Sequence, residues 1–112
     1  AWMGFNYLRI RRAAKIVDNE EFEALIRTGQ LIDLRDPAEF HRKHILGARN
    51  IPSSQLKTSL AALRKDKPVL LYENQRAQRV TNAALYLKKQ GFSEIYILSY
   101  GLDSWKGKVK TS

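Results

Sequence analysis

At 112 residues the chain can bury one core, and it holds no cysteine, which excludes thiolate chemistry, Cys-ligated zinc and any disulfide framework. The net charge of +9 sits at the ends, with Arg9, Arg11, Arg12 and Lys15 at one and Lys106, Lys108 and Lys110 at the other. Between them 13 basic and 11 acidic residues nearly balance, which argues against a specific nucleic-acid surface.

The first segment, AWMGFNYLRIRRAAK, passes from apolar and aromatic residues (Trp2, Met3, Phe5, Tyr7, Leu8) to basic ones. That order matches the cytoplasmic end of a membrane helix, where interfacial aromatics precede Arg and Lys. The apolar part is too short to cross a bilayer, and its charges follow the apolar stretch, the reverse of a signal peptide. Three readings stay open: the end of a membrane anchor, an interfacial segment drawn to anionic lipid, or a basic leader. The first two together are favoured. The expectation is therefore a chain on the cytoplasmic side, associated with or anchored to a membrane through residues 1–15.

Asn19 is expected to cap a helix over EEFEALIRTG, with acids in the first turn and Gly29 as the stop. Leu31–Leu34 reads as a short strand. Asp36-Pro37-Ala38-Glu39 is a helix start with a cap, proline in the first position and glutamate in the third. The chain turns at Gly47, and Ala48–Ile51 reads as a second strand. Pro52-Ser53-Ser54 introduces a helix to about Leu63, and Val69–Tyr72 is an apolar strand of the type buried on both faces. A longer helix follows, with Val80, Ala83, Ala84 and Leu87 on one side and Gly91 at its end. Glu94–Leu98 is the last expected strand, and Gly101–Trp105 begins a short closing helix. This alternation argues an α/β domain with a largely parallel central sheet. In such sheets ligands sit beyond the carboxyl ends of strands, which draws attention to the loop between Tyr72 and Val80.

Within this order the chain resembles the rhodanese-like family from about Ile16 to Gly107. Asp33 and Arg35 fit its "IDVR" element, and Asp36, Glu39 and Phe40 fit the helix start that follows. His44, Ile45, Gly47, Ala48, Asn50, Ile51 and Pro52 fit "HI-GA-N-IP". Ile95–Trp105, with Gly101, Leu102 and Trp105, fits the closing "V-L-GG-W" segment, with Tyr100 standing where the first glycine usually does. The resemblance implies a sheet flanked by helices and an active loop of the form Cys-x-x-Gly-x-Arg-Ser, whose backbone N–H groups lower a cysteine pKa and hold a persulfide. Residues 1–15 then form the leader, 16–107 the domain and 108–112 a basic tail.

The loop departs from the family form. Counting from the strand puts Glu73 in the cysteine position; counting back from the helix puts Asn74 there, with Ala77 as the glycine and Arg79 as the arginine. Neither residue can carry a sulfane sulfur. Glu73, Asn74, Gln75, Arg76, Ala77, Gln78 and Arg79 thus form an active-site-like loop without a catalytic residue. In one reading the Glu73 carboxylate fills the anion cradle, and Arg76 or Arg79 meets it or grips an external anion. In the other, the loop is solvated and does nothing specific. Asp33 and Arg35 are expected to support the loop. His44 is expected to be structural and His41 exposed, with no metal and no cofactor. Trp105 and Phe92 read as core residues.

Two function classes follow. The leading one is an inactive rhodanese-like binding or regulatory module whose partner is an unknown protein or a small anion. The alternative is a sulfurtransferase-like or other anion-directed enzyme using the Glu73–Arg79 loop.

Overall fold

The structure, a computed structural model, describes residues 14–74 and 78–111. In chain order the regular elements are β1 (Lys15–Val17), α1 (Asn19–Ile26), β2 (Gln30–Asp33), α2 (Pro37–Arg42), β3 (His44–Ile45) and β4 (Arg49–Asn50). Two 3-10 turns follow (Ser53–Gln55 and Lys57–Ala62), then β5 (Val69–Tyr72), α3 (Gln78–Lys89), β6 (Ile95–Leu98), a 3-10 turn (Leu102–Ser104) and β7 (Val109–Lys110). Five strands form one sheet in the order β1-β6-β5-β2-β4, with every pairing parallel. The remaining two, β3 and β7, pair antiparallel.

The apolar alternation within single strands divides the core into two layers. In β5, Val69 and Leu71 pack on the face covered by α3, together with Val80, Ala84, Leu87 and Phe92. Leu70 and Tyr72 point to the other face, with Phe22, Ile45 and Leu102. Successive strand side chains alternate between faces, so a strand lacking polar positions must be covered twice. This central placement of β5 carries its last residue, Tyr72, and the loop behind it to the middle of the sheet's carboxyl edge.

Several local expectations differ from the structure. The cap of α1 is Asp18, whose side chain accepts from Glu21 N at 2.9 Å. Asn19 instead donates from Nδ2 to Ser104 O at 2.8 Å, so the amide ties the helix start to the closing turn. The segment after Pro52 forms 3-10 turns, with Gln55 N bonded to Pro52 O and Ser59 N to Leu56 O. There Thr58 Oγ1 donates to the Gln55 carbonyl at 2.9 Å, the kind of local side-chain bond that competes with an α-helical ladder. Asp36 precedes α2 without making a side-chain cap bond. The closing segment is a single 3-10 turn.

Ala14 is buried and Lys15 opens β1, both placed in the leader by the sequence. Val109 and Lys110, expected in a tail, pair with Ile45 and His44. Residues 1–13 of the expected leader and loop residues Gln75, Arg76 and Ala77 lie outside the described residues. Among the described residues no helix is long and apolar enough to cross a membrane.

Candidate functional site

The carboxyl ends of β2 and β5 lie side by side, Asp33 opposite Tyr72 in register, and the site grows from these two residues. Asp33 is fully buried. A buried carboxylate requires a partner, and Arg35 supplies one from two residues away. The Arg35 guanidinium donates from Nε to Asp33 Oδ1 at 3.0 Å and from Nη2 to Asp33 Oδ2 at 2.8 Å, while Arg35 N donates to Asp33 Oδ1 at 2.9 Å. Burial disfavours the Arg35 charge, but the hydrogen bonds and attraction of Asp33 outweigh it and raise the guanidinium pKa. Arg35 Nη2 also donates to the Lys43 carbonyl, fastening the end of α2.

The Tyr72 hydroxyl accepts from Ile45 N at 3.1 Å and so holds β3 against the central sheet. Its pKa is pushed far up, first by burial and then by the negative charge of Asp33 and the hydrogen bond to it. His44, next to Ile45 in sequence, stacks on Phe40 with ring centroids 3.7 Å apart. Nδ1 of His44 lies 2.7 Å from the Phe40 carbonyl, so Nδ1 carries the proton. His41 is exposed.

From Tyr72 the chain enters the loop, and its next two side chains diverge. Glu73 turns inward and is only 8% exposed. Its Oε2 accepts from the backbone N–H of Val80, in the first turn of α3, at 2.8 Å. The first N–H groups of a helix have no partner within it and carry partial positive charge, so a carboxylate there is satisfied twice, as acceptor and as anion. A solvated, idle Glu73 does not describe this geometry. Asn74 turns the opposite way, accepting from Arg35 Nη1 at 3.0 Å on Oδ1 and donating from Nδ2 to Glu39 Oε2 at 2.9 Å. The Asn74 hydrogen bond holds the Glu39 carboxyl below its usual pKa despite partial desolvation, with the Arg35 and Arg79 cations adding to the effect. The α2 glutamate, expected to serve a helix start, therefore also links α2 to the loop.

The loop backbone is fixed from a third direction. Glu73 O accepts from Leu102 N at 2.8 Å and Asn74 O from Asp103 N at 3.0 Å. Gly101 makes this approach possible. Its φ is +70°, and a Cβ there would lie 2.5 Å from Asn74 O and 2.6 Å from Glu73 O. A polar cleft of about 310 Å³ opens beside these residues, lined by Arg35, Glu39, Arg42, Lys43, Asn74 and Asp103. Gln78 and Arg79 are exposed at the start of α3 and face a different cleft.

The sequence matches the Rhodanese-like domain family over residues 18–108. The chain belongs to the rhodanese-like domain family. Its similar proteins include the uncharacterized protein YqhL of Bacillus subtilis, 49% identical over 97% of this chain and 86% of the relative. They also include the thiosulfate sulfurtransferase GlpE of Stutzerimonas stutzeri, 36% identical over 82% of this chain and 84% of the relative. Among solved structures, a rhodanese-related protein of Thermoplasma volcanium superposes with a TM-score of 0.78 at 23% identity, over 88% of this chain and 99% of its own. A Pseudomonas aeruginosa thiosulfate sulfurtransferase gives 0.76 at 26% identity, over 88% of this chain and 20% of its own. The rhodanese-like domain described here has the family's parallel sheet and no cysteine in its sequence.

Sequence reasoning missed three contributors to the site. Glu39 and Gly101 were visible as a helix-start acid and a motif glycine, but their contacts with the loop had no sequence signal. Tyr72 read only as the apolar end of a strand, because its hydroxyl partner belongs to a two-residue strand far away in the chain.

Proposed function

We propose that this rhodanese-like domain transfers no sulfur and serves as a binding or regulatory module, held at the cytoplasmic face of a membrane through its N-terminal side. The observation that carries the first part is the Glu73 carboxylate on Val80 N. An anionic side chain of the protein sits at the helix start, where the family's chemistry requires a thiolate and its sulfur. A carboxylate lacks the sulfur nucleophile, and the helix N-terminus, already neutralised, has less to offer an incoming anion. Asp33, Arg35, Asn74 and Glu39 then act as a brace for the loop. The membrane part is supported by the passage from aromatic to basic residues before β1.

A second reading, an anion-directed enzyme, is favoured by the relative named as a thiosulfate sulfurtransferase. The two are separated by thiocyanate formation from thiosulfate and cyanide. The proposal expects the rate of a protein-free blank; turnover abolished by Glu73→Ala supports the enzyme instead. The membrane part is tested by sedimentation with anionic vesicles. Substituting Arg9, Arg11 and Arg12 by Gln removes three charges worth about 1 kcal/mol each near an anionic surface, weakening binding by roughly 100-fold. Equal sedimentation of the two proteins contradicts it.

A further inference from the structure

A cleft of about 310 Å³ lies between the first 3-10 turns and the exposed side of α3, outside the brace around Asp33. Its cations are Lys57 and Arg79, and among the described residues its lining includes no aspartate or glutamate. Two other hollows among the described residues differ in this respect. The cleft at Arg35 contains Glu39 and Asp103, and the broad groove along α1 contains Glu20 and Glu23.

We propose that this cleft binds a phosphomonoester carried on a small, flat apolar group. The head is met by Lys57 and Arg79 together with the hydroxyls of Ser53 and Ser54, a donor set with two positive charges for a doubly charged oxyanion. Asn82, also in the lining, adds an NH₂ donor, its Oδ1 already accepting from Gln78 Nε2 at 2.8 Å. The body rests on an apolar floor of Leu56 and Ala83, both buried, and the half-buried Tyr86 ring. Lys57 Nζ stands 5.7 Å from the centroid of that ring. A cation–π contact of this kind at an exposed site is weaker than a charge-assisted bond to phosphate, so Lys57 can leave the ring for a ligand. The volume suits a small organic ligand, at the lower end of the range for such sites.

The start of α3 is not the receptor here, because Val80 N is already bonded to Glu73. Arg79 also lies close enough to Glu39 to help lower its pKa, but the Glu39 carboxylate is bonded to Asn74. The inference is independent of catalytic silence in the loop and stands or falls separately.

The probes are phenyl phosphate, inorganic phosphate and benzyl alcohol, titrated into the isotopically labelled full chain while backbone amides are followed. Phenyl phosphate should give saturable shifts at Ser53, Ser54, Lys57 and Asn82, with at least about tenfold higher affinity than either fragment. The Lys57→Ala/Arg79→Ala double substitution should weaken phenyl phosphate at least about tenfold. Both side chains are exposed, and unchanged amide positions in the sheet verify the fold. Three results overturn the proposal: no saturable shift at these residues, inorganic phosphate binding as tightly as phenyl phosphate, or undiminished affinity in the double variant.

Discussion

Replacing Glu73 by alanine removes the acceptor of the Val80 N–H, and Val80 is fully buried. An orphaned buried donor costs about 1–3 kcal/mol. Loss of a carboxylate from a helix start costs up to about 2 kcal/mol more in a partly buried geometry. The expected destabilisation is therefore about 2–4 kcal/mol. Glutamine keeps an acceptor of the same reach and loses only the charge, so Glu73→Gln should cost about 1 kcal/mol. For a domain of this size 1 kcal/mol corresponds to roughly 4–8 °C in Tm. Alanine should thus lower Tm by roughly 8–32 °C and glutamine by roughly 4–8 °C. Urea unfolding of the three proteins in parallel reads the free energies directly. Alanine within about 0.5 kcal/mol of the wild type, the spread of a neutral surface substitution, would refute the role assigned to this carboxylate.

The brace around Glu73 makes further outcomes testable. Asp33→Ala leaves the buried Arg35 cation without its main partner and should cost about 3–5 kcal/mol by urea unfolding. Asp33→Ala/Arg35→Met should recover part of that loss; a double variant as unstable as the sum of the two single variants would contradict coupling between them. Gly101→Ala forces a Cβ against the backbone of Glu73 and Asn74 at a φ of +70°. It should destabilise by more than 1 kcal/mol and shift the Leu102 and Asp103 amides in NMR spectra; unchanged amides would contradict the fit. Because the folded-state pKa of Glu39 is lowered from 4.5, its contribution is fully present above that pH and lost as pH falls through the folded value. Asn74→Ala should move the NMR-titrated Glu39 pKa upward and make stability below about pH 4.5 less sensitive to further acidification; an unmoved pKa would contradict the Asn74 assignment.

How much of this was legible depended on the range over which each signal acts. β5 could be read from four residues because all four are apolar and a strand buried on both faces needs nothing else. The long face of α3 was equally plain, since Val80, Ala83, Ala84 and Leu87 repeat at helical spacing. β1, β3 and β7 were not, because two or three residues carry no period and their pairing is decided by distant chain. At α1 the expected cap, Asn19, is bonded to the Ser104 carbonyl, and the preceding Asp18 caps the helix instead. Within the site, the departure at the cysteine position marked the place without indicating that Glu73 is buried. Its burial follows from the depth of β5 and from an N–H of α3 directed at it. Asn74, by contrast, leaves the same loop for α2, a divergence that strand and helix counting could express only as an ambiguity of one residue.

The central claim is that Glu73 occupies the helix start that an external anion would otherwise use. Thiosulfate titrated into the labelled full chain and into Glu73→Ala, with the Val80 amide followed in both, tests this directly. No saturable shift of Val80 is expected in the wild type and a saturable one in the variant, whose freed N–H meets the anion. A saturable Val80 shift in the wild type would contradict it, since the position would then be open to ligand with the carboxylate still in place.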